Sequence, residues 1–321
     1  MAPFPNGAGV AAEDAWVLAE ERPGRALGAA LAWALRQEAR QLHLLLSAPA
    51  ATRDLAGVAA RRASLFALPV DVWQVSGREV TPVRPAAPEL SGQAVPVALA
   101  GLRDRMLAAG ATPEWEHGVL TGEVLGLEVC RAVADGTGWR LALGVGKYDR
   151  EIHDTLRAGD RAGDGADGAG GAALDEALRR VIEEVRRHRR GDGEAHPANT
   201  LAPERWLRAA AIAHPELVGA RTLRSIETTE VRSDLRQPAP AAASGHDPGG
   251  EPVVVAFTAG IVDLEAVPIA ADTRLSLGDR APLTIVVEPS VDARITRHLA
   301  AALRDPAAVI VVPTDWRGPP S

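Results

Sequence analysis

Short, nearly continuous apolar runs gather at the two ends of the chain. Near the N-terminus they are Trp16–Ala19, Leu42–Ser47 and Val70–Val75; near the C-terminus they are Val253–Thr258, Leu283–Glu288 and Val309–Pro313. Their first residues are offset by 26 and 28 positions in the first set and by 30 and 26 in the second. Each gap has room for one crossover helix, which parallel neighbouring strands require. In the first set the gaps carry the right periodicity. Leu27, Leu31, Ala34 and Leu35 fall on one helical face, and Leu55, Val58, Ala59, Leu65 and Phe66 on another. The run LHLLLS has no polar alternation, which predicts a strand covered on both faces. In the second set the first crossover contains Pro268, which predicts a short or bent helix. Element order and spacing match between the ends with little residue identity. Because βαβαβ is a common unit, duplication and independent origin both stay open.

The middle of the chain reads differently. Residues 78–98, with Pro82, Pro85, Pro88 and Pro96, predict a linker. A helix follows with Leu99, Leu102, Met106 and Leu107, stopped by Gly110. LGLEVCRAV and WRLALGVGK then flank Asp135-Gly136-Thr137-Gly138, a hairpin signal. Residues 158–173, almost wholly Gly, Asp, Ala and Arg, predict a disordered loop. Leu174, Leu178, Val181, Ile182 and Val185 stripe the next helix, which ends in RRHRR. Another helix starts at Pro203 and stops near His214-Pro215. A second Pro/Ala/Gly linker covers 236–252. The predicted fold class is α/β, with βαβαβ units over 11–77 and 253–315 and a middle α+β domain over 99–220 built on an antiparallel hairpin. The two units can join in one mostly parallel sheet, which would leave fewer exposed edges.

Composition narrows the function classes. Hydrophobic content is 46%, enough for a sizeable core. A net charge of −7 argues against a broadly basic nucleic-acid surface. Cys130 is the single cysteine, so no internal disulfide and no thiolate zinc site can form. MAPFPNGAGV lacks the basic start and apolar core of a signal peptide, and no run approaches the ~20 apolar residues of a membrane span. The expectation is a cytoplasmic protein without a membrane partner.

Candidate chemistry is sparse. Neither unit carries a glycine-rich phosphate cradle, so no nucleotide cofactor is expected. Ligands of parallel α/β sheets bind beyond the carboxyl ends of the strands. There the chain places Glu20, Asp263 and Glu288, an acidic set that defines a pocket candidate between the units. The plain alternative is a solvated rim of acidic helix starts. In the middle hairpin, strand alternation puts Glu128 on one face with Val124, Cys130 and Ala132, in apolar surroundings. Just beyond its partner strand lie Lys147, Asp149 and Glu151; Lys147 is the only lysine among 35 basic residues. The plain alternative is a structural ion-pair cluster of Glu128 or Glu151 with Arg131, Arg140 or Lys147. The arginines that end the striped helix read as a solvated face complementing the helix dipole.

An acid on one strand with acids and a lysine on the next resembles nucleases of the PD-(D/E)XK type. That resemblance implies a divalent metal held by Glu128, Asp149 and Glu151, with Lys147 stabilising charge. The motif is incomplete, because Val145 stands where an acid should precede Lys147 by two residues. GLEVCRAV, LGVGKYDRE, ERWLR and VDLEAVPIAADTRL together resemble an uncharacterised group of proteins from high-GC actinobacteria. This second resemblance implies a bacterial cytoplasmic protein and assigns no activity. With no recognisable catalytic or phosphate-binding motif, the leading expectation is a non-catalytic binding, regulatory or assembly protein. The alternative is a metal-dependent, nuclease-like hydrolase using Glu128, Lys147, Asp149 and Glu151.

Overall fold

A computed structural model describes residues 7–20, 23–47, 55–88, 94–136, 138–145, 169–191, 196–232, 234–278 and 281–318. The architecture is α/β, with three sheets. The N-terminal sheet has the order β1-β2-β3-β4-β5, formed by Ala8–Ala11, Asp14–Ala19, Gln41–Leu46, Val70–Ser76 and Glu79–Pro82. Its three inner strands are parallel, and β1 and β5 close the edges antiparallel. Crossover helices α1 (Leu27–Arg36) and α2 (Leu55–Ala63) connect the parallel strands.

The middle sheet is an antiparallel meander of β6 (Thr112–Glu116), β7 (Val119–Val124), β8 (Leu127–Ala134) and β9 (Trp139–Leu143). Helices α3 (Ala100–Ala109) and α4 (Ala169–His188) pack on it around Met106, Leu120, Leu127 and Leu178. α3 ends at Gly110 in the left-handed conformation, as its sequence predicts.

α5 (Pro203–Ala213) leads into the C-terminal sheet, whose order is β10-β11-β12-β13-β14. These strands are Thr222–Ile226, Ala241–His246, Pro252–Thr258, Leu283–Val287 and Ala308–Val311. β12, β13 and β14 run parallel, linked by α6 (Ala266–Ser276) and α7 (Arg294–Ala301). Pro268 sits in the first turn of α6, where a missing N–H costs nothing, so the helix is not shortened by it.

Three expectations are corrected. The terminal units do not share a sheet. Each completes its own with antiparallel strands drawn from segments that composition marks as linkers: β5 from 78–98, β11 from 236–252. The run around Glu128 is not one strand from Val124. Leu125 and Gly126, at φ 49° and 74°, form a two-residue turn, so Val124 ends β7 and pairs with Leu127 of β8. Finally, LHLLLS joins a hydrophobic core through one face: Leu42, Leu44 and Leu46 do so, while Leu45 on the other face is half-buried and joins none.

The units join through their helices instead. Leu31, Leu42, Leu44 and Phe66 of the first share one core with Val267, Ile285, Leu299 and Leu303 of the second. α1 packs on α6 and α7, and α2 on α6. Just after α2 and α7 the chains meet in a reciprocal bridge: the Ala67 amide donates to Ala302 at 2.9 Å, and the Arg304 amide donates to Leu65 at 2.9 Å. The inner face of each sheet thus faces the other across two layers of helix. α5 covers the outer face of the C-terminal sheet and separates it from the middle sheet. No helix among the described residues is long and apolar enough to cross a membrane.

Gly28 of α1 marks the closest approach of the units. A Cβ there would lie 2.0 Å from the carbonyl oxygen of Leu264, which is backbone and cannot rotate aside. Gly28→Ala should therefore lower stability by about 1–3 kcal/mol, read from urea unfolding midpoints. Gly24→Ala is the control. Its Cβ would meet only Leu55 side-chain atoms at 3.5 Å, and its stability should stay within about 0.5 kcal/mol of the parent.

Candidate functional site

The residues singled out in the hairpin are partly in view. Lys147, Asp149 and Glu151 lie outside the described residues. Glu128 is buried on β8 directly opposite Glu123 of β7, beside a register shift. Arg131 Nε and Nη2 each donate to one Glu128 oxygen at 2.9 Å, a bidentate pair that neutralises the carboxylate. Glu123 belongs to a second cluster. Arg205 and Arg208, three apart on α5, both bridge Glu116 and Glu123; Arg208 reaches Glu116 at 2.6 Å and Glu123 at 3.2 Å. Burial works to raise the Glu116 pKa, but Arg208 and Arg205 outweigh it and hold it at about 2. For Glu114 on the same strand burial prevails over Arg208, and its carboxyl rises to about 7. Among the described residues no group of three or more His, Cys, Asp or Glu is placed to hold a metal ion.

Arg189, next to the arginine-rich end of α4, is not part of a solvated face. It is 1% exposed and donates to the carbonyls of Leu125, Ala198, Leu201 and Ala202 at 2.8–3.0 Å. It thereby ties the β7–β8 turn to the chain entering α5. Arg179, Arg180 and Arg187 do remain exposed, pairing with Glu176 and Glu184.

The strand-end acids have different surroundings. Glu20 is exposed after β2. Both Asp263 oxygens accept from Arg25 at 2.8 Å. Glu288 accepts from the Gly260 amide at 2.8 Å, from Ser290 at 3.0 Å and from Arg317 at 2.7 Å. None of the three lines the cavity beside Trp73 or the one beside Arg205.

Asp263 belongs instead to a charged seam between the units. Asp272 of α6, fully buried, receives Arg61 at 2.7 and 3.0 Å, Arg62 at 3.1 Å and the Thr229 hydroxyl at 2.8 Å. Burial opposes its ionisation, but Arg61, Arg62 and Thr229 together keep its pKa below the ordinary value. Arg62 also reaches Glu230 at 3.1 Å. Beside them Glu265 accepts the Gly28 amide at 2.5 Å through Oε1, while buried Oε2 has no hydrogen-bond partner. Burial pushes the Glu265 carboxyl up to about 7, against the Gly28 hydrogen bond.

The remaining feature is the outer face of the N-terminal sheet. Asp14, Trp16 and Leu18 of β2, His43 and Leu45 of β3, and Asp71, Trp73 and Val75 of β4 point away from α1 and α2. Trp16 is 41% exposed and stacks on His43, with ring centroids 3.9 Å apart. Leu18, Leu45, Trp73 and Val75 are half-buried and join none of the three hydrophobic cores. At the β4 edge a cavity of about 300 Å³ is lined by Ala60, Val72, Trp73, Pro82 and Pro85, among others. The buried Trp73 indole N–H has no acceptor.

Comparison of the chain with protein-family models, with curated proteins and with solved structures finds no match. The chemistry of the face must therefore be judged from its own residues. Sequence reasoning passed over Trp16 and Trp73 because their runs look like fully covered parallel strands. The available signal was alternation: Asp71 and Trp73 alternate with Val70 and Val72 along β4. Arg205 and Arg208 were legible as an i, i+3 pair, but their acidic partners sit on strands the sequence does not declare.

Glu265 and Glu114 make a prediction about pH. Each has a folded pKa raised from 4.5 to about 7, so between those values the folded state binds protons that the unfolded state has lost. Their contribution to stability is full below the unfolded pKa and is lost as pH rises through about 7. Urea midpoints should fall between pH 5 and pH 8. Glu265→Gln should remove about 1–3 kcal/mol of that change, and the double variant with Glu114→Gln should be nearly flat. An unchanged slope in the double variant would show that neither group titrates there.

Proposed function

We propose that the protein is a non-catalytic binding or assembly protein whose partner docks on the outer face of the N-terminal sheet. The observation that carries this is a face with two tryptophans, two leucines and a valine outside every core of the chain. Apolar side chains gathered on one open sheet face mark interaction sites in soluble proteins. The matched strand order of the two units supports a common origin, with one outer face closed by α5 and the other left open.

The hydrolase reading has less support. It needs Glu128 free for a metal, whereas Arg131 already occupies both carboxylate oxygens. Assembly by bridging arginines fits the same residues with no catalytic demand.

The test pairs partner capture with reconstitution. A photo-crosslinker at position 18 identifies a partner in an extract of the source cells, and the purified pair is then measured by calorimetry. The expected result is a saturable complex, weakened at least ~100-fold by Leu18→Glu, in a variant whose circular dichroism and urea midpoint match the parent. Turnover of single- or double-stranded DNA with Mg2+ or Mn2+, lost in Glu128→Gln, would overturn the proposal in favour of a hydrolase.

A further inference from the structure

The two units can be overlaid position by position through their strand registers. Ala15 pairs with Leu42 and Val17 with Leu44 in the first; Val254 pairs with Leu283 and Ala256 with Ile285 in the second. Those inward residues all belong to the shared core. The outward positions then correspond: Trp16 to Val255, Leu18 to Phe257, Leu45 to Val286. β4 continues the match, since Leu45 pairs with Trp73 as Val286 pairs with Ile310. The antiparallel strand before each set, β1 or β11, corresponds as well.

The covering of these matched faces differs. Val255, Phe257 and Val286 are at most 1% exposed, because Trp206, Leu207 and Ala211 of the amphipathic helix α5 lie over them. On the N-terminal sheet Trp16 is 41% exposed, Leu18 and Leu45 are half-buried, and none of the three joins a hydrophobic core. The chain itself therefore shows what fits such a face: one helix laid across β10–β12, apolar side down.

Charge distinguishes the open face from the closed one. Asp14 and Asp71, with side chains 36% and 50% exposed, flank His43 at 3.8 and 3.5 Å. The matching positions on the closed face are Val253 and Ala308, both neutral. None of the outward strand positions on the open face is lysine or arginine. Gln41 donates to Asp71 at 2.6 Å but brings no charge. A second copy of this chain, face against face, would bring more aspartate and no lysine or arginine from these strand positions.

We propose, resting on the binding reading above, that the open face receives an amphipathic helix of a different protein. The helix presents large apolar side chains to Trp16, Leu18, Leu45 and Trp73, and an arginine or lysine near one end to Asp14 and Asp71. The acidic pair biases the direction in which the helix lies, since only one orientation brings its cation to Asp14 and Asp71.

The test uses synthetic amphipathic peptides of about four helical turns, with one Leu/Ala stripe, that differ only in carrying arginines or glutamates at one end. Titration calorimetry should show the basic peptide binding the full chain at least ~10-fold more tightly than the acidic one at low salt. Asp14→Asn with Asp71→Asn should erase that preference, and Leu18→Glu should abolish binding of both. Equal affinity for the two peptides, or equal affinity for a proline-interrupted version that cannot be helical, would overturn the inference. If neither peptide binds but the chain forms a Leu18→Glu-sensitive dimer in sedimentation, the occupant is a second copy; the helix inference falls and the binding face stands. If neither binds, no dimer forms and no Leu18→Glu-sensitive partner is captured, both fall.

Discussion

One carboxylate holds the two halves of this molecule in register. Asp272 lies fully buried on α6 of the C-terminal unit, and successive arginines of α2 in the N-terminal unit converge on it. Two cations on one anion would leave excess charge in a dry place, and Glu230 takes up the remainder from Arg62. Burying such a set gives little stability compared with apolar packing of the same volume, yet removing one member leaves the others uncompensated. Its consequence is geometric. Leu, Val and Ala side chains between α1, α2, α6 and α7 would tolerate small slides of one unit over the other. Bidentate guanidinium contacts do not, and the bridge between Phe66 and Leu303 depends on that alignment.

The same device recurs wherever layers meet. Arg205 and Arg208 fasten α5 to the middle sheet, Arg189 fastens the β7–β8 turn to the entry of α5, and Arg25 fastens α1 to the loop before α6. In the core shared by the two units many of the contacts are small aliphatic residues, alanine above all. A core that is short of aromatic side chains gains little directional contact from packing. Here direction comes from arginine forks on carboxylates and carbonyls.

Much of the scaffold could be read from the chain alone. The six terminal runs are the six parallel strands, because continuous apolar stretches at crossover spacing have few other solutions. The stripe of Leu174, Leu178 and Ile182, and the stop at Gly110, were equally plain. What escaped notice has a common physical cause. β5, β10 and β11 are held by backbone pairing, and sequences such as Ala241–His246 carry almost no side-chain signal for it. The turn at Leu125-Gly126 hid because leucine is an unusual occupant of positive φ. Among the site residues, Glu128 reads from the sequence as a buried acid in need of a partner, with Arg131 among the candidates. The seam at Asp272 could not be read, since Arg61 and Arg62 stand more than two hundred residues away from it. The open face was disguised by its strands, which look the same whether one side or both are covered.

The back-to-back packing of the two sheets also has a consequence for stoichiometry. The outer faces point away from each other, and the chain's own helix occupies one of them. A molecule with two adhesive ends propagates into fibres or rings; a molecule with one adhesive end terminates. With α5 on the C-terminal sheet, one outer face is left open, so the proposed binding would be monovalent and polar. On that proposal the chain would decorate or cap a larger body in a single orientation rather than bridge two of them through these faces.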